Sequence, residues 1–192
     1  MKVAGSNIKR MIFSSAIAVA MAAGVCAAPP QVSSEQANRA IELNNQGMAL
    51  YNKGKVDQAI ALYRQALAIN PALEEALSNL GVALDAKGRD NDAIADFDAA
   101  LKLKPTDGVT ESNLGLALYH EKKYAEAIEA YQKAIALHPN LPQAYNGLGA
   151  ALFAEGRADD AIAAYRKAIS LSPKYTDAFN NLGAALNSQQ KW

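Results

Sequence analysis

Five glycines recur along this chain at a constant interval of 34 residues, at positions 47, 81, 115, 149 and 183. Alanine, aromatic residues and proline recur at the same interval between them. These residues are Ala59, Ala93, Ala127 and Ala161, then Tyr63, Phe97, Tyr131 and Tyr165, and finally Pro71, Pro105, Pro139 and Pro173. A fixed period of this length indicates supersecondary units that stack because none of them can bury its apolar face alone. The chain is therefore predicted to form a linear array of such units.

Each unit contains two apolar stripes at helical spacing. In the second unit, Leu80 and Leu84 belong to one stripe, and Ala93 and Phe97 belong to the other. Residues three or four apart share one face of an α-helix, so each unit is predicted to be a pair of amphipathic helices. Where two helices cross closely, a small side chain on one must accept a large side chain from the other. We therefore expect Phe97 to pack against Gly81 and Ala93.

Glycine and proline are expected to mark the ends of the helices. Gly88 lies between the two helices of the second unit, where glycine can adopt the left-handed conformation that ends a helix. The recurring prolines, such as Pro105, are expected to end each second helix, because proline lacks an amide proton and disfavours helix in the residue before it. At the front, Ser33 and Gln36 have the spacing of a capping box, so the first helix is expected to begin near Ser34.

The units read N-L-G-x-A-L, then G-[KR], A-I, an aromatic residue, A-[IL] and Pro, and this pattern resembles the tetratricopeptide repeat family over residues 40–192. The resemblance implies an all-α fold, an α-solenoid of tandem helix-turn-helix repeats that forms a right-handed superhelix with a concave groove. A linker and the start of the first helix occupy residues 28–39. The predicted repeats are residues 40–73, 74–107, 108–141 and 142–175, with half of a fifth repeat at 176–192.

The half repeat keeps the pattern of the internal repeats. Phe179, Leu182 and Leu186 stand where arrays of this family usually have a polar capping helix. A truncated copy of a longer protein is the favoured explanation. The alternative is a last helix that leaves one face open for a partner.

Residues 1–27 differ in character from the repeats and are predicted to be a signal peptide. Three basic residues precede an uncharged run of 18 residues over 11–28. Val25-Cys26-Ala27 supplies the small side chains that favour cleavage after Ala27. A run of this length is also just long enough for an uncleaved membrane anchor, which is the alternative. Cleavage predicts a periplasmic or secreted protein of bacterial type with no membrane insertion.

Charge and residue content disfavour several classes of function. The chain carries 19 basic and 19 acidic residues, and loss of the three basic residues of the leader leaves a mature charge of about −3. Without a basic cluster, nucleic acid is not expected as a partner. Cys26 would leave with the leader, and His120 and His138 lack the spacing of a zinc site, so no metal and no cofactor are predicted. His120 is interpreted as a solvated surface residue, and the chain is not predicted to be an enzyme.

The family resemblance implies where a partner binds. The position two residues before the recurring glycine is expected to face the groove, where asparagines hold an extended peptide by its backbone. That position holds Asn45, Asn79, Asn113 and Asn181, with Gly147 in the fourth repeat. A side-chain amide offers both a donor and an acceptor, so it can pair with a peptide unit of any sequence. Flanking apolar contacts are predicted at Met48, Tyr51, Leu116, Tyr119 and Phe153.

A second interpretation of these residues is that the asparagines space neighbouring helices and the apolar residues belong to the core. The binding interpretation predicts an exported scaffold or adaptor that holds a protein or extended peptide in its groove. It is expected to be a monomer or to self-associate weakly. One alternative is a structural subunit of a cell-envelope complex that uses its end or its convex face. Another is the accessory repeat region of a truncated longer enzyme.

Overall fold

The computed structural model describes residues 32–189, so the predicted signal peptide and the last three residues of the half repeat lie outside the described range. Nine α-helices and no strand occur in the described residues. In chain order they are α1 Ser34–Tyr51, α2 Val56–Ile69, α3 Glu74–Asp85, α4 Asp90–Leu103, α5 Gly108–His120, α6 Tyr124–Leu137, α7 Pro142–Ala154, α8 Ala158–Leu171 and α9 Thr176–Gln189. None of these helices has the length and apolar character that crossing a bilayer requires.

The first helix begins with the expected capping box. The backbone N–H of Gln36 donates to Oγ of Ser33 at 3.2 Å, and the backbone N–H of Ser33 donates to Oε1 of Gln36 at 3.0 Å. Two amide protons that the helix itself cannot satisfy are thus both paired. The prediction that α1 begins at Ser34 is confirmed.

Consecutive helices pack as pairs, and an aromatic ring lies on a glycine within each complete pair. A Cβ added to Gly81 would lie 2.6 Å from Cε1 of Phe97, so the ring needs the absence of a side chain there. The same contact joins Gly47 to Tyr63, Gly115 to Tyr131, and Gly149 to Tyr165. The expected packing of Phe97 against Gly81 is confirmed. At Gly183 an added Cβ would meet no atom within 4 Å.

The turns between paired helices use left-handed backbone. Gly54, Gly88 and Gly156 have φ values of 73°, 68° and 78°, as expected for glycine at these positions. Lys122 occupies the same place in the third repeat, with a φ of 60°. The even-numbered helices end two residues before each recurring proline, as the sequence predicts. Their last residues are Ile69, Leu103, Leu137 and Leu171.

Stacking joins the pairs mainly through contacts between the second helix of one pair and the first helix of the next, and the first helices of neighbouring pairs also contact each other. Each odd-numbered helix contacts the next odd-numbered helix, from α1 through α9, whereas no two even-numbered helices contact each other. The odd-numbered helices therefore form one continuous surface, which we call the inner wall. Most of the buried apolar side chains form a single cluster that runs through the stack from Ala59 to Ala185. Successive pairs thus share one core, and the fold is the predicted all-α solenoid.

Candidate peptide-binding face

The inner wall carries nearly all of the large apolar side chains that the described residues expose to solvent. Six of the seven lie on odd-numbered helices, and the seventh, Leu103, lies on α4. The six are Ile41, Met48, Val109, Leu116, Phe153 and Phe179. Scattered apolar residues on a surface need no explanation, but apolar residues gathered on one surface indicate an interaction site.

The same stripe of side chains occurs on two helices of the inner wall. On both α1 and α5, an asparagine lies between two apolar residues at the spacing i, i+4 and i+7, which places all three on one face. The stripes are Ile41, Asn45 and Met48 on α1, and Val109, Asn113 and Leu116 on α5. The four apolar side chains are between 39% and 51% exposed. Each stripe therefore presents a carboxamide with an apolar contact on either side.

A cavity adjoins each stripe. Asn45, Met48 and Asn79 line a cavity of about 320 Å³ that extends from the first repeat to the second. Asn113 and Leu116 line another of about 230 Å³ that extends from the third repeat to the fourth. The structure thus brings five of the predicted residues together at two places on the inner wall.

Two of the predicted asparagines are already bonded to a neighbouring repeat. Nδ2 of Asn79 donates to Oδ1 of Asn44 at 3.0 Å, and Nδ2 of Asn181 donates to Oδ1 of Asn146 at 3.0 Å. These bonds link neighbouring odd-numbered helices, as the spacing interpretation of the asparagines expects. Each donor asparagine still has its carboxamide oxygen and a second N–H, because the amide group has more than one hydrogen-bonding site.

The other two asparagines have unbonded amides. The position that would pair with Asn113 holds Ser78, whose shorter side chain bonds instead to Oγ1 of Thr110 at 2.8 Å. Asn45 belongs to the first repeat, so the described chain has no preceding repeat with which it could pair. Neither Asn45 nor Asn113 has a side-chain hydrogen bond to any of residues 32–189. These two residues are the better candidates for contacts with a peptide backbone.

The fourth repeat interrupts the asparagine series for a steric reason. The ring of Tyr131 from α6 lies over Gly147, where an added Cβ would be 2.3 Å from Cζ and 2.5 Å from the hydroxyl oxygen. Burial raises the pKa of Tyr131 well above its usual value, with a smaller contribution from the nearby Asp85 carboxylate. A side chain at position 147 would displace this neutral, buried phenol.

The three predicted aromatic contacts differ in exposure. Tyr51 and Tyr119 are half-buried and pack against the core, which agrees with the core interpretation of these positions. The ring of Tyr119 also lies 5.4 Å, centre to centre, from that of Tyr124. Phe153 is 36% exposed and lies on the inner wall. Of the three, Phe153 is therefore the most open to a partner.

Charged groups border the first cavity. Glu74 lies 3.6 Å from the ammonium of Lys104, and burial raises the pKa of Glu74 even though Lys104 acts in the opposite direction. Burial also acts to raise the pKa of Asp107, but hydrogen bonds from Thr110 and from the amide of Val109 outweigh it and lower that pKa. Glu75 lines this cavity as well, so three carboxyl groups and one ammonium lie beside its carboxamides.

Sequence reasoning missed the acceptor asparagines, Asn44 and Asn146. Both lie three residues before the recurring glycine, and that position is polar in every repeat. The residues there are Asn44, Ser78, Ser112, Asn146 and Asn180. This position is buried or half-buried in the four complete repeats. A polar residue there in every repeat is a signal for hydrogen bonds between repeats, because buried polar groups need partners.

Comparison with known proteins supports the same fold. A family model described as TPR repeat matches residues 47–88, 115–156 and 149–190, and one described as Tetratricopeptide repeat matches 74–107. A crystal structure of MamA is 33% identical, with a TM-score of 0.68 over 75% of this chain and 84% of that chain. Another MamA crystal structure is 31% identical, with a TM-score of 0.71 over 82% and 85% of the two chains. A search of curated protein sequences found no significant match.

The crystal structure of YrrB, described as a TPR protein with an unusual peptide-binding site, also has this fold. It is 24% identical, with a TM-score of 0.66 over 82% of this chain and 80% of that chain. Paired helices, a shared core and a continuous inner wall define a helical-repeat protein of the interaction-scaffold class. Family models match more than half of the sequence. The chain belongs to the tetratricopeptide repeat family.

Proposed function

We propose that this protein is an exported scaffold that binds a protein partner along its inner wall, with an extended segment of the partner lying across the stripes of α1 and α5. The observation that carries the proposal is the gathering of exposed large apolar side chains on the odd-numbered helices. These side chains surround amides that are free to bond. Apolar anchors with polar groups between them are the usual composition of a protein-binding surface.

The free amides suit a peptide backbone better than a particular side chain. The carboxamide of Asn45 can donate one hydrogen bond and accept another, and so can that of Asn113. The apolar residues on either side supply the desolvated contacts in which such bonds gain strength. The second repeat, which has Glu75 and Val82 at the flanking positions, separates the two stripes. We expect a segment with apolar side chains at two separated points.

A double variant tests this mode of binding. A partner is first captured with the wild-type protein from an extract of the producing cells, and its affinity is then measured by calorimetry. We expect Asn45→Ala combined with Asn113→Ala to weaken binding about ten-fold or more, the loss expected for one or two hydrogen bonds. Asn91→Ala is the matched control, because Asn91 is an exposed asparagine on α4.

Unchanged affinity of the double variant, with its helical circular dichroism intact, would contradict the proposed role of the inner wall. Equal weakening by Asn91→Ala would contradict it as well. Light scattering on the same samples gives the oligomeric state, for which we expect a monomer or weak self-association. A stable, high-order assembly would favour the structural-subunit alternative.

Export is the second element of the proposal, and it depends on residues 1–27 of the sequence. Mass spectrometry of the protein from fractionated cells should give an N-terminus at Ala28 in the periplasmic or secreted fraction. A chain that retains residues 11–28 and fractionates with membranes would support the uncleaved anchor instead.

A further inference from the structure

Three ionisable side chains meet at the junction of the second and third repeats, each at the end of a helix. Asp85 is the last residue of α3, Asp90 the first of α4, and His120 the last of α5. Nδ1 of His120 lies 3.0 Å from Oδ1 of Asp85 and 3.8 Å from Oδ1 of Asp90. One donor atom from each residue lies within 4.8 Å of the other two.

The two carboxylates stand at positions where the other complete repeats have apolar or aromatic residues. Those repeats have an aromatic residue at the position of Asp85 and an apolar or aromatic residue at the position of Asp90. The pairs are Tyr51 with Val56, Tyr119 with Tyr124, and Phe153 with Ala158. Two acids in a place suited to apolar side chains lose hydration and repel each other, which costs free energy unless a positive charge lies between them.

The two carboxylates are largely buried, which strengthens their need for a nearby positive charge. The side chains of Asp85 and Asp90 are only 15% and 14% exposed. Oδ1 of Asp90 is fully buried and has no hydrogen-bond partner among the described residues. Its 3.8 Å separation from Nδ1 of His120 is too long for a hydrogen bond. A buried acceptor that lacks a donor is destabilising, so this oxygen needs a further partner.

The geometry fits a metal ion between the three atoms. Zinc bonds to imidazole nitrogen and carboxylate oxygen are about 2.0 to 2.2 Å long, so the ligand atoms of a tetrahedral site lie about 3.3 to 3.5 Å apart. The observed distances of 3.0 and 3.8 Å lie on either side of that range. Two of the three residues end helices, and the C-terminal end of a helix attracts cations.

We propose that Asp85, Asp90 and His120 bind one divalent first-row transition-metal ion, with Zn²⁺ as the best-suited probe and solvent as the fourth ligand. The imidazole nitrogen favours such an ion over Mg²⁺ or Ca²⁺, which prefer all-oxygen sites. The His120 side chain is 42% exposed, so an ion can reach the site from solvent. Because the ligands come from two repeats, the ion would link α3 and α4 to α5.

Metal titration tests this site independently of the proposed partner binding. The purified protein is treated with a chelator, dialysed and titrated with Zn²⁺ in a calorimeter, and Co²⁺ is used to report tetrahedral coordination by visible absorption. We expect saturable binding that is at least about ten-fold weaker in His120→Asn and in Asp90→Asn. His138→Asn should bind as the wild type does, because His138 lies at the end of α6, outside this cluster. Bound metal should also raise the melting temperature of the wild type, but not that of His120→Asn.

Absence of saturable Zn²⁺ binding would overturn the proposal, and so would equal affinity in the wild type and His120→Asn. A loss with His138→Asn as large as that with His120→Asn would place the metal elsewhere and overturn it too. Circular dichroism reports whether each variant folds. If Asp90→Asn does not fold, His120→Asn decides the outcome, because it changes a partly exposed side chain at the end of a helix.

Discussion

The carboxamide of Asn79 on α3 donates a hydrogen bond of 3.0 Å to the carboxamide oxygen of Asn44 on α1. Asn44 is only 6% exposed, so the bond lies at the boundary between the core and the inner wall. One residue of a predicted binding series is thus also part of the contact between two repeats. Its role in stability has to be separated from any role in binding.

A double-mutant cycle on Asn44 and Asn79 measures the strength of that contact. We expect each change to alanine to lower the free energy of unfolding, with a coupling energy of about 1 kcal/mol, as is typical of a hydrogen bond between neutral groups. Denaturant unfolding of the four proteins provides the measurement. A cycle on Asn44 and Asn113 is the control and should be additive, because these side chains do not contact each other. Additivity in the first cycle as well would mean that the bond adds nothing to stability.

Two of the recurring glycines, Gly81 under an aromatic ring and Gly183 with no ring over it, predict opposite effects of the same substitution. Gly81→Ala should lower the free energy of unfolding by about 2 kcal/mol, because its Cβ would meet the buried ring of Phe97 at 2.6 Å. Gly183→Ala meets no atom within 4 Å and should raise that free energy by up to about 1 kcal/mol, the difference in helix propensity. Thermal or denaturant unfolding of the two variants and the wild type measures both changes in the free energy of unfolding. Similar effects from both substitutions would contradict the packing explanation.

The third repeat contains a substitution that should stabilise the protein. Lys122 has a φ of 60°, in the turn position that glycine occupies at Gly54, Gly88 and Gly156. Because left-handed backbone is unfavourable for residues with a Cβ, Lys122→Gly should raise the free energy of unfolding by about 1 kcal/mol. Chemical denaturation gives the value. Lys123→Gly, at a residue with a φ of −83°, is the control and should not stabilise.

The cap of α5 predicts a dependence on pH. Oδ1 of Asp107 accepts hydrogen bonds from the amides of Val109 and Thr110 at 3.0 and 3.3 Å, and its Oδ2 accepts one from the Thr110 hydroxyl at 2.8 Å. Loss of these bonds in Asp107→Ala should cost about 1 kcal/mol at neutral pH. Since the folded-state pKa of Asp107 is lowered, the stabilisation is present above the unfolded-state pKa and is lost as the pH falls through the folded value.

The difference between the wild type and Asp107→Ala should therefore shrink below about pH 4, the usual region of aspartate titration. Unfolding curves collected between neutral and acid pH provide the comparison. Thr106→Ala, one residue earlier and exposed, should show no such convergence. A constant difference between wild type and Asp107→Ala across this range would contradict the role of the ionised carboxylate.

The fold could be predicted because the residues that define it recur at a constant interval in the sequence. Gly81, Phe97 and Pro105 each belong to a series of equivalent residues that recurs every 34 residues. Each of them has a local physical role that can be stated without coordinates. Positions on the inner wall were predictable to the same degree, since helical spacing places Asn45 and Met48 on one face. The period predicts which residues are equivalent, and this was enough to identify the repeating unit.

Contacts between repeats were harder to predict, because they join positions that are equivalent only after stacking is known. The bond between Asn146 and Asn181 joins residues 35 apart in the sequence, and the same separation applies to Asp85 and His120. The half-burial of Tyr119 depends on how closely the next helix approaches. Side-chain length also matters, since Ser78 in place of asparagine leaves Asn113 unbonded. These are tertiary effects, and propensity and spacing do not contain them.

The shared core makes this a modular protein. Each complete pair contains its own ring-on-glycine contact, and the second helix of each pair packs against the first helix of the next. Removing or duplicating a whole unit would therefore rejoin surfaces of the same kind, whereas a cut through a unit would leave a ring without its glycine. The length of the binding surface can therefore change by insertion or deletion in whole steps, without redesign of the hydrophobic interior.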